Sequence, residues 1–274
     1  MKSLEKKAIE IRKATLEMIY NAKTGHTGSD LSCTDILVGL YYQVLKQDPK
    51  DPENENRDRY IQSKGHAVEV LWTILADRGY FPKSELKTFS QFKSHLIGHP
   101  TNTVNGVEMN TGSLGHGLAI GVGIALAAKL DRKDYHTYVL MGDGEQAEGS
   151  IWEAAMAASH YQLNNLTAII DHNSLQITGK TTDVMNSEPL KDKYESFGWE
   201  VQEIDGNDMA QIVEALSKHS LSEKPKLILA HTIKGKGMKI AENNPEWHHK
   251  VPNKDQYNNV IKDLNTQLEW GENS

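Results

Sequence analysis

The most constraining feature is a strand–helix–strand run over residues 137–170 in which each strand is followed by an oxygen-bearing residue. Thr137 to Met141 reads as a strand, residues 149–161 as a helix, and Leu166 to Ile170 as a second strand. Both strands are almost wholly apolar, so both of their faces are expected to be buried. That is the pattern of a parallel sheet between helices. The 34 residues from Thr137 to Ile170 suit a parallel pair joined by a crossover helix. Asp143, flanked by Gly142 and Gly144, stands just past the first strand, and Asn173 just past the second. Ligands of such sheets bind beyond the carboxyl ends of the strands, so both oxygens are expected at one edge. The glycines permit a tight turn and close backbone approach. The helix starting near Gly149 would turn its free N–H groups toward that edge, where a phosphate is favoured. A carboxylate and an amide carbonyl are hard donors, suited to Mg²⁺ or Ca²⁺. A lone Gly-Asp-Gly reads as a turn, and so does a lone Asn. Their matched placement favours a cation bridging to a diphosphate.

The rest of the chain fits one α/β domain over residues 1–274, a mostly parallel sheet flanked by helices. Residues 4–22 read as a helix with Ile9, Ala14, Leu16, Ile19 and Tyr20 near one face. A glycine-rich break at 24–28 precedes a helix from Ser32 to Leu45, and a polar loop leads to a short strand at Arg59–Gln62. Further helices are expected at about 66–78, 114–130, 208–218 and 254–267, and strands at Trp199–Ile204 and Lys226–Ala230. Residues 83–110 read as a short helix and irregular loops. No repeat or linker divides the chain.

A net charge of −7 argues against nucleic acid as the main partner, because phosphate backbones need a basic face. The one cysteine, Cys33, excludes an intrachain disulfide and reads as a small core residue in a reducing cytoplasm. Residues 1–7 lead into an amphipathic helix instead of a secretion signal, and no stretch has the apolar length of a membrane span. A cytoplasmic protein without membrane partners is expected.

Four of the 12 histidines directly follow a glycine, His26, His66, His99 and His116, where 21 glycines in 274 residues would give about one by chance. A histidine at a glycine turn can project into a cleft where backbones come close. Four such turns ahead of Asp143 suggest a shared polar pocket.

The string "GDGEQAEGSIWEAAMAASHYQLNNLTAIIDHNSLQITG" resembles the thiamine diphosphate motif, and specifically that of the transketolase family. The segments "TGHTGSDLS", "SKGHA", "GHP" and "NTGSLGHG" are similar, in order, to that family's successive active-site segments, and "NNPEWHHK" to its last histidine segment in this domain. The resemblance implies a two-carbon ketol transfer from a ketose to an aldose through a thiamine diphosphate ylide. It implies Asp143, Asn173 and the Leu175 carbonyl as ligands of Mg²⁺, with Ca²⁺ or Mn²⁺ as substitutes. It places His66, Gly112, Ser113, Leu114, Gly142, Gly144 and Glu145 along the cofactor, with Leu114 against the thiazolium. His26 and His99 would contact substrate oxygens, and His248 both substrate and diphosphate. Glu148 would connect two active sites across a subunit interface. His116 stands where many relatives carry Gln and receives no role. Thr27, Ser29 and Ser113 replace prolines usual in larger members.

The resemblance covers only the family's diphosphate-binding domain. The pyrimidine-binding domain, with the glutamate that activates the cofactor's aminopyrimidine, and the C-terminal domain are expected on a partner chain. An α₂β₂ heterotetramer of a split transketolase follows, acting on a sugar or sugar phosphate whose distal group is phosphate, sulfonate or neutral. The α subunit of a thiamine-dependent 2-oxo acid dehydrogenase would share the metal motif without the ordered histidines. A non-catalytic regulatory subunit would share the fold. Gly179-Lys180-Thr181 lacks the glycine a P-loop needs at 174, and Gly115-His116-Gly117 fails a dinucleotide fingerprint on spacing. His95 and His99 are four apart, as zinc ligands can be, but Gly98 and Pro100 argue against a helix there. Residues 234–239 read as a basic mobile loop.

Overall fold

The computed structural model describes residues 2–220 and 222–272, so both ends of the expected 1–274 span lie outside the described residues. The chain begins with α1 (Lys2–Ala22), α2 (Thr27–Gly39), β1 (Arg59–Gln62), α3 (Val68–Arg78) and α4 (His116–Leu130). The central unit is β2 (Thr137–Gly142), α5 (Gly149–His160) and β3 (Leu166–His172). A small hairpin, β4 (Leu175–Gln176) and β5 (Gly179–Lys180), follows, with α6 (Thr181–Val184) and α7 (Leu190–Ser196) after it. The chain continues through β6 (Glu200–Asp205), α8 (Met209–Ser217), β7 (Lys226–His231) and α9 (Lys254–Glu272).

The main sheet runs β1-β2-β3-β7-β6 and every pairing in it is parallel. Alternation along β2 supplies both faces. Tyr138 and Leu140 enter one core with Trp72, Ile36 and Ile212, and Val139 and Met141 enter the other with Leu118, Ile151 and Tyr194. Helices α1, α2, α3 and α8 therefore cover one face, and α4, α5 and α7 the other. A third cluster of Leu16, Leu31, Met238, Trp247 and Leu264 docks the segment after β7 and α9 against α1 and α2. No helix is long and apolar enough to cross a membrane among the described residues. Cys33 is buried, with its thiol toward the Ser29 carbonyl at 3.4 Å.

Three expectations change. The buried stripe of α1 is Ala8, Ile11, Thr15, Leu16, Met18 and Ile19, so Ile9, Ala14 and Tyr20 flank it. Helix α2 starts at Thr27, inside the expected break, and ends in a π turn at Leu40–Val44. Its first turn is held from far along the chain. Thr27 Oγ1 donates to the Lys250 carbonyl at 2.6 Å, and a Cβ on Gly28 would sit 2.7 Å from the Trp247 carbonyl oxygen. Residues 234–239 are packed: Lys234 is 2% exposed, Met238 is 1% exposed, and Gly235 N–H donates to the Gly28 carbonyl at 3.0 Å.

Candidate active site

The register of β2 and β3 pairs Gly142 with Asp171, which brings Asp143 and Asn173 side by side at the carboxyl edge of the sheet. Asp143 Oδ1 accepts from Gly144 N–H at 2.8 Å and Oδ2 from Ser174 N–H, so its own carboxylate ties the two strand ends together. Asn173 Oδ1 accepts from Leu175 N–H at 3.2 Å. A 3-10 turn, Gly144–Ala147, stands between Asp143 and α5, so the helix that was expected to follow directly is set one turn further on.

Above this edge opens a cavity of about 370 Å³, within the range of cofactor sites. His26, His66, Gly112, Leu114, Gly142, Gly144, Glu145, Glu148, Asn173, Leu175 and His248 line it. His26, His66 and His248 cluster with ring centroids 5.1 to 5.8 Å apart. His249 approaches His26 at 4.5 Å but is exposed. Asp143 is 3% exposed and lies beneath the lining. His99 and Ser113 are exposed and outside the lining. His99 is stacked behind Gly112, where a Cβ would meet its Cδ2 at 2.5 Å. Glu145 is 2% exposed and spends both oxygens on the scaffold. Oε1 accepts from Ser63 Oγ and from Gly115 N–H at 2.9 Å, and Oε2 from Gly142 N–H at 3.0 Å. It thus pins three cavity-forming loops together. Glu148 is exposed at the N-cap of α5.

Two lysines complete the wall, and the sequence reading assigned neither to the site. Lys64, 2% exposed, pairs with Asp171 and donates to the Ser29 carbonyl at 3.2 Å. Asp171 also accepts from Ser32 Oγ at 2.7 Å and from Thr232 Oγ1. Burial alone pushes the Lys64 ammonium down, but Asp171 overrides it and raises the pKa, so Lys64 stays charged. Lys234 donates to the Leu175 carbonyl at 3.0 Å and lies 3.1 Å from His248 Nδ1. Burial, then the charge of Lys64, pulls Lys234 down to about 8. Lys64 adjoins His66 in "SKGHA" and Lys234 follows a strand end, which were the available signals.

The histidines are held neutral. Burial and then Lys234 lower His248 to about 3, burial and then Lys64 lower His66, and burial lowers His99. With Nδ1 accepting from Lys234, His248 carries its proton on Nε2 and is a donor there. Burial and then Asp171 raise Asp143 to about 6, the mark of a carboxylate short of positive charge. The cavity therefore combines hard oxygen donors at its floor, two buried ammonium groups and neutral imidazoles. That donor set fits a cation-bridged diphosphate.

Comparison with known proteins agrees. The family described as "Transketolase, thiamine diphosphate binding domain" matches residues 4–273. One of the two chains of an apulose-4-phosphate transketolase from Phocaeicola vulgatus is 46% identical over 98% of this chain and 96% of its own length. A 6-deoxy-6-sulfo-D-fructose transketolase subunit of a Clostridium species is 40% identical over 95% of this chain and 96% of its own. The solved transketolase of Campylobacter jejuni superposes with a TM-score of 0.91 at 35% identity, over 98% of this chain and 43% of that one.

Proposed function

Since the chain belongs to the transketolase family, by its thiamine diphosphate binding domain, we propose that it is the diphosphate-binding subunit of a split transketolase. It would move a two-carbon ketol unit from a ketose to an aldose. The observation that carries this is the joint placement of Asp143, Asn173 and Leu175 beneath a cavity walled by Lys64, Lys234, His66 and His248. Residues 1–274 form one domain on this reading. The pyrimidine and C-terminal domains come from a partner chain, in an α₂β₂ heterotetramer in the cytoplasm. Relatives of the same length that are named as transketolase subunits, and the 43% share of a full-length transketolase, support a two-chain enzyme. They also favour ketol transfer over decarboxylation of a 2-oxo acid. The apulose-4-phosphate and sulfofructose relatives suggest a donor with an anionic distal group.

Asp143, the Asn173 amide oxygen and the Leu175 carbonyl would hold Mg²⁺, which offsets the charge that burial leaves on Asp143. Lys64, Lys234 and His66 would hold diphosphate oxygens, and Gly112, Ser113, Leu114, Gly142 and Gly144 would border the cofactor. Thiamine diphosphate, when bound, supplies the electron sink that lets a bond beside a ketose carbonyl break and re-form. This chain's own part is binding and proton placement. His248 offers Nε2–H to an oxygen in the cavity, and neutral His26 and His99 present hydrogen-bonding nitrogens to substrate hydroxyls. Glu148 would face the neighbouring subunit. Calorimetry of the chain with its partner, thiamine diphosphate and Mg²⁺ tests the reading. Binding is expected, and binding unaffected by Asp143→Ala would refute it.

A further inference from the structure

The cavity wall conceals two carboxyl groups outside the functions assigned above. Asp30 on α2 and Glu69 on α3 are 0% and 1% exposed. They lie within hydrogen-bonding reach of each other. Asp30 Oδ1 accepts from Val70 N–H at 3.0 Å and so caps α3, a task Ala67 at the N-cap has no side chain for. Asp30 Oδ2 and Glu69 Oε2 find no other partner. Two buried carboxyl groups in contact do not both ionise. One proton shared between them satisfies both oxygens and leaves the pair a single negative charge. Burial and then Glu69 push the Asp30 carboxyl well above its usual range. Burial raises Glu69 to about 7 against the pull of Asp30 and of the backbone N–H groups around it.

The pair faces His26. Its Nδ1 is buried and has no hydrogen-bond partner, and Glu69 Oε1 stands 3.9 Å from it. Burial lowers the pKa of His26; the charge of Asp30 opposes this, and Lys64 and Lys234 add to it, so the ring is neutral. A neutral imidazole donates from one nitrogen and accepts at the other, and the partner of one decides the role of the other. A carboxylate oxygen beside Nδ1 draws the proton there. Nε2 is then left with its lone pair on the edge of a side chain that is 19% exposed in the cavity wall.

We propose that Asp30 and Glu69 are positioning residues, a proton-sharing carboxyl pair that fixes His26 as the Nδ1–H tautomer and makes Nε2 an acceptor for a substrate hydroxyl. The consequence for substrate rests on the ketol-transfer reading; the tautomer does not. The test is a long-range ¹H–¹⁵N spectrum of the full chain labelled at histidine, with His26 assigned from the signal lost in His26→Gln. Wild type is expected to show His26 protonated on Nδ1. Glu69→Gln, which keeps a carbonyl acceptor, should retain that state, and Glu69→Met should lose it. An Nε2–H tautomer in wild type overturns the proposal, whether or not a variant folds, as does an unchanged tautomer in Glu69→Met. In the enzyme reconstituted with its partner, Glu69→Met should lower kcat/KM for the ketose about tenfold, mainly through KM, with Glu69→Gln restoring it. An unchanged KM in Glu69→Met overturns the substrate role. The fixed tautomer without any ketol transfer would retain the positioning pair and refute the proposed activity instead.

Discussion

The Lys234 ammonium lies 3.0 Å from the Leu175 carbonyl oxygen, the same oxygen assigned to the cation. One lone-pair set thus serves two positive groups. Lys234 is 2% exposed, so its charge stays in the cavity whichever oxygen it contacts. A diphosphate entering beside the cation would give that ammonium an anionic partner.

Lys234→Met should therefore weaken thiamine diphosphate binding about tenfold at saturating Mg²⁺, the worth of one charge-assisted hydrogen bond of about 1.4 kcal/mol. Calorimetry of the reconstituted enzyme reads this directly. Wild-type affinity in the variant would remove Lys234 from the diphosphate site.

Asp143 is expected to trade stability for binding. Its carboxylate is buried, and with Asp171 nearby its pKa rises to about 6, so the charged form is disfavoured in the folded chain. Asp143→Asn should keep or raise the urea midpoint while cofactor affinity falls by about two orders of magnitude. A large loss of stability would make Asp143 a structural residue.

Gly112 has φ +135°, and a Cβ there would meet His99 Cδ2 at 2.5 Å. Gly112→Ala should cost about 1–3 kcal/mol in urea unfolding and displace His99. An unperturbed His99 signal in the histidine spectrum of that variant would contradict the packing.

At the opposite end of the sheet, His136 is 6% exposed, bonds Thr167 Oγ1 at 2.8 Å and stacks on His219 at 4.2 Å. Burial and then His219 lower its pKa to about 3. A folded pKa below the unfolded value means the unfolded chain binds the extra proton. The contribution is present above about pH 6.5 and is lost as pH falls toward 3. From pH 7.5 to 5.5, wild type should lose about 1 kcal/mol more than His136→Gln, read from urea midpoints. Parallel pH slopes would show that His136 is not held neutral.

The sheet was legible because its strands are apolar on both faces, as Tyr138 and Val139 show on neighbouring positions of β2. The cation floor was legible because Asp143 and Asn173 are fixed by strand register, a local property. What escaped depends on contacts far apart in sequence. The first turn of α2 looks like a loop until Lys250 and Trp247 close over Thr27 and Gly28. Lys64 and Lys234 read as surface residues until Asp171 and Leu175 supply oxygens inside. The two-residue strands β4 and β5 are too short to carry a period.

The central claim, that this chain contributes the diphosphate half of a ketol transferase, is tested most directly with a ketose labelled with ¹³C in its transferable two-carbon unit. The chain, its pyrimidine-domain partner, thiamine diphosphate, Mg²⁺ and an aldose acceptor are combined. The label should appear in the product ketose only when both chains are present, and should disappear with Asp143→Ala. Transfer by the partner without this chain, or by this chain without the partner, would contradict the account.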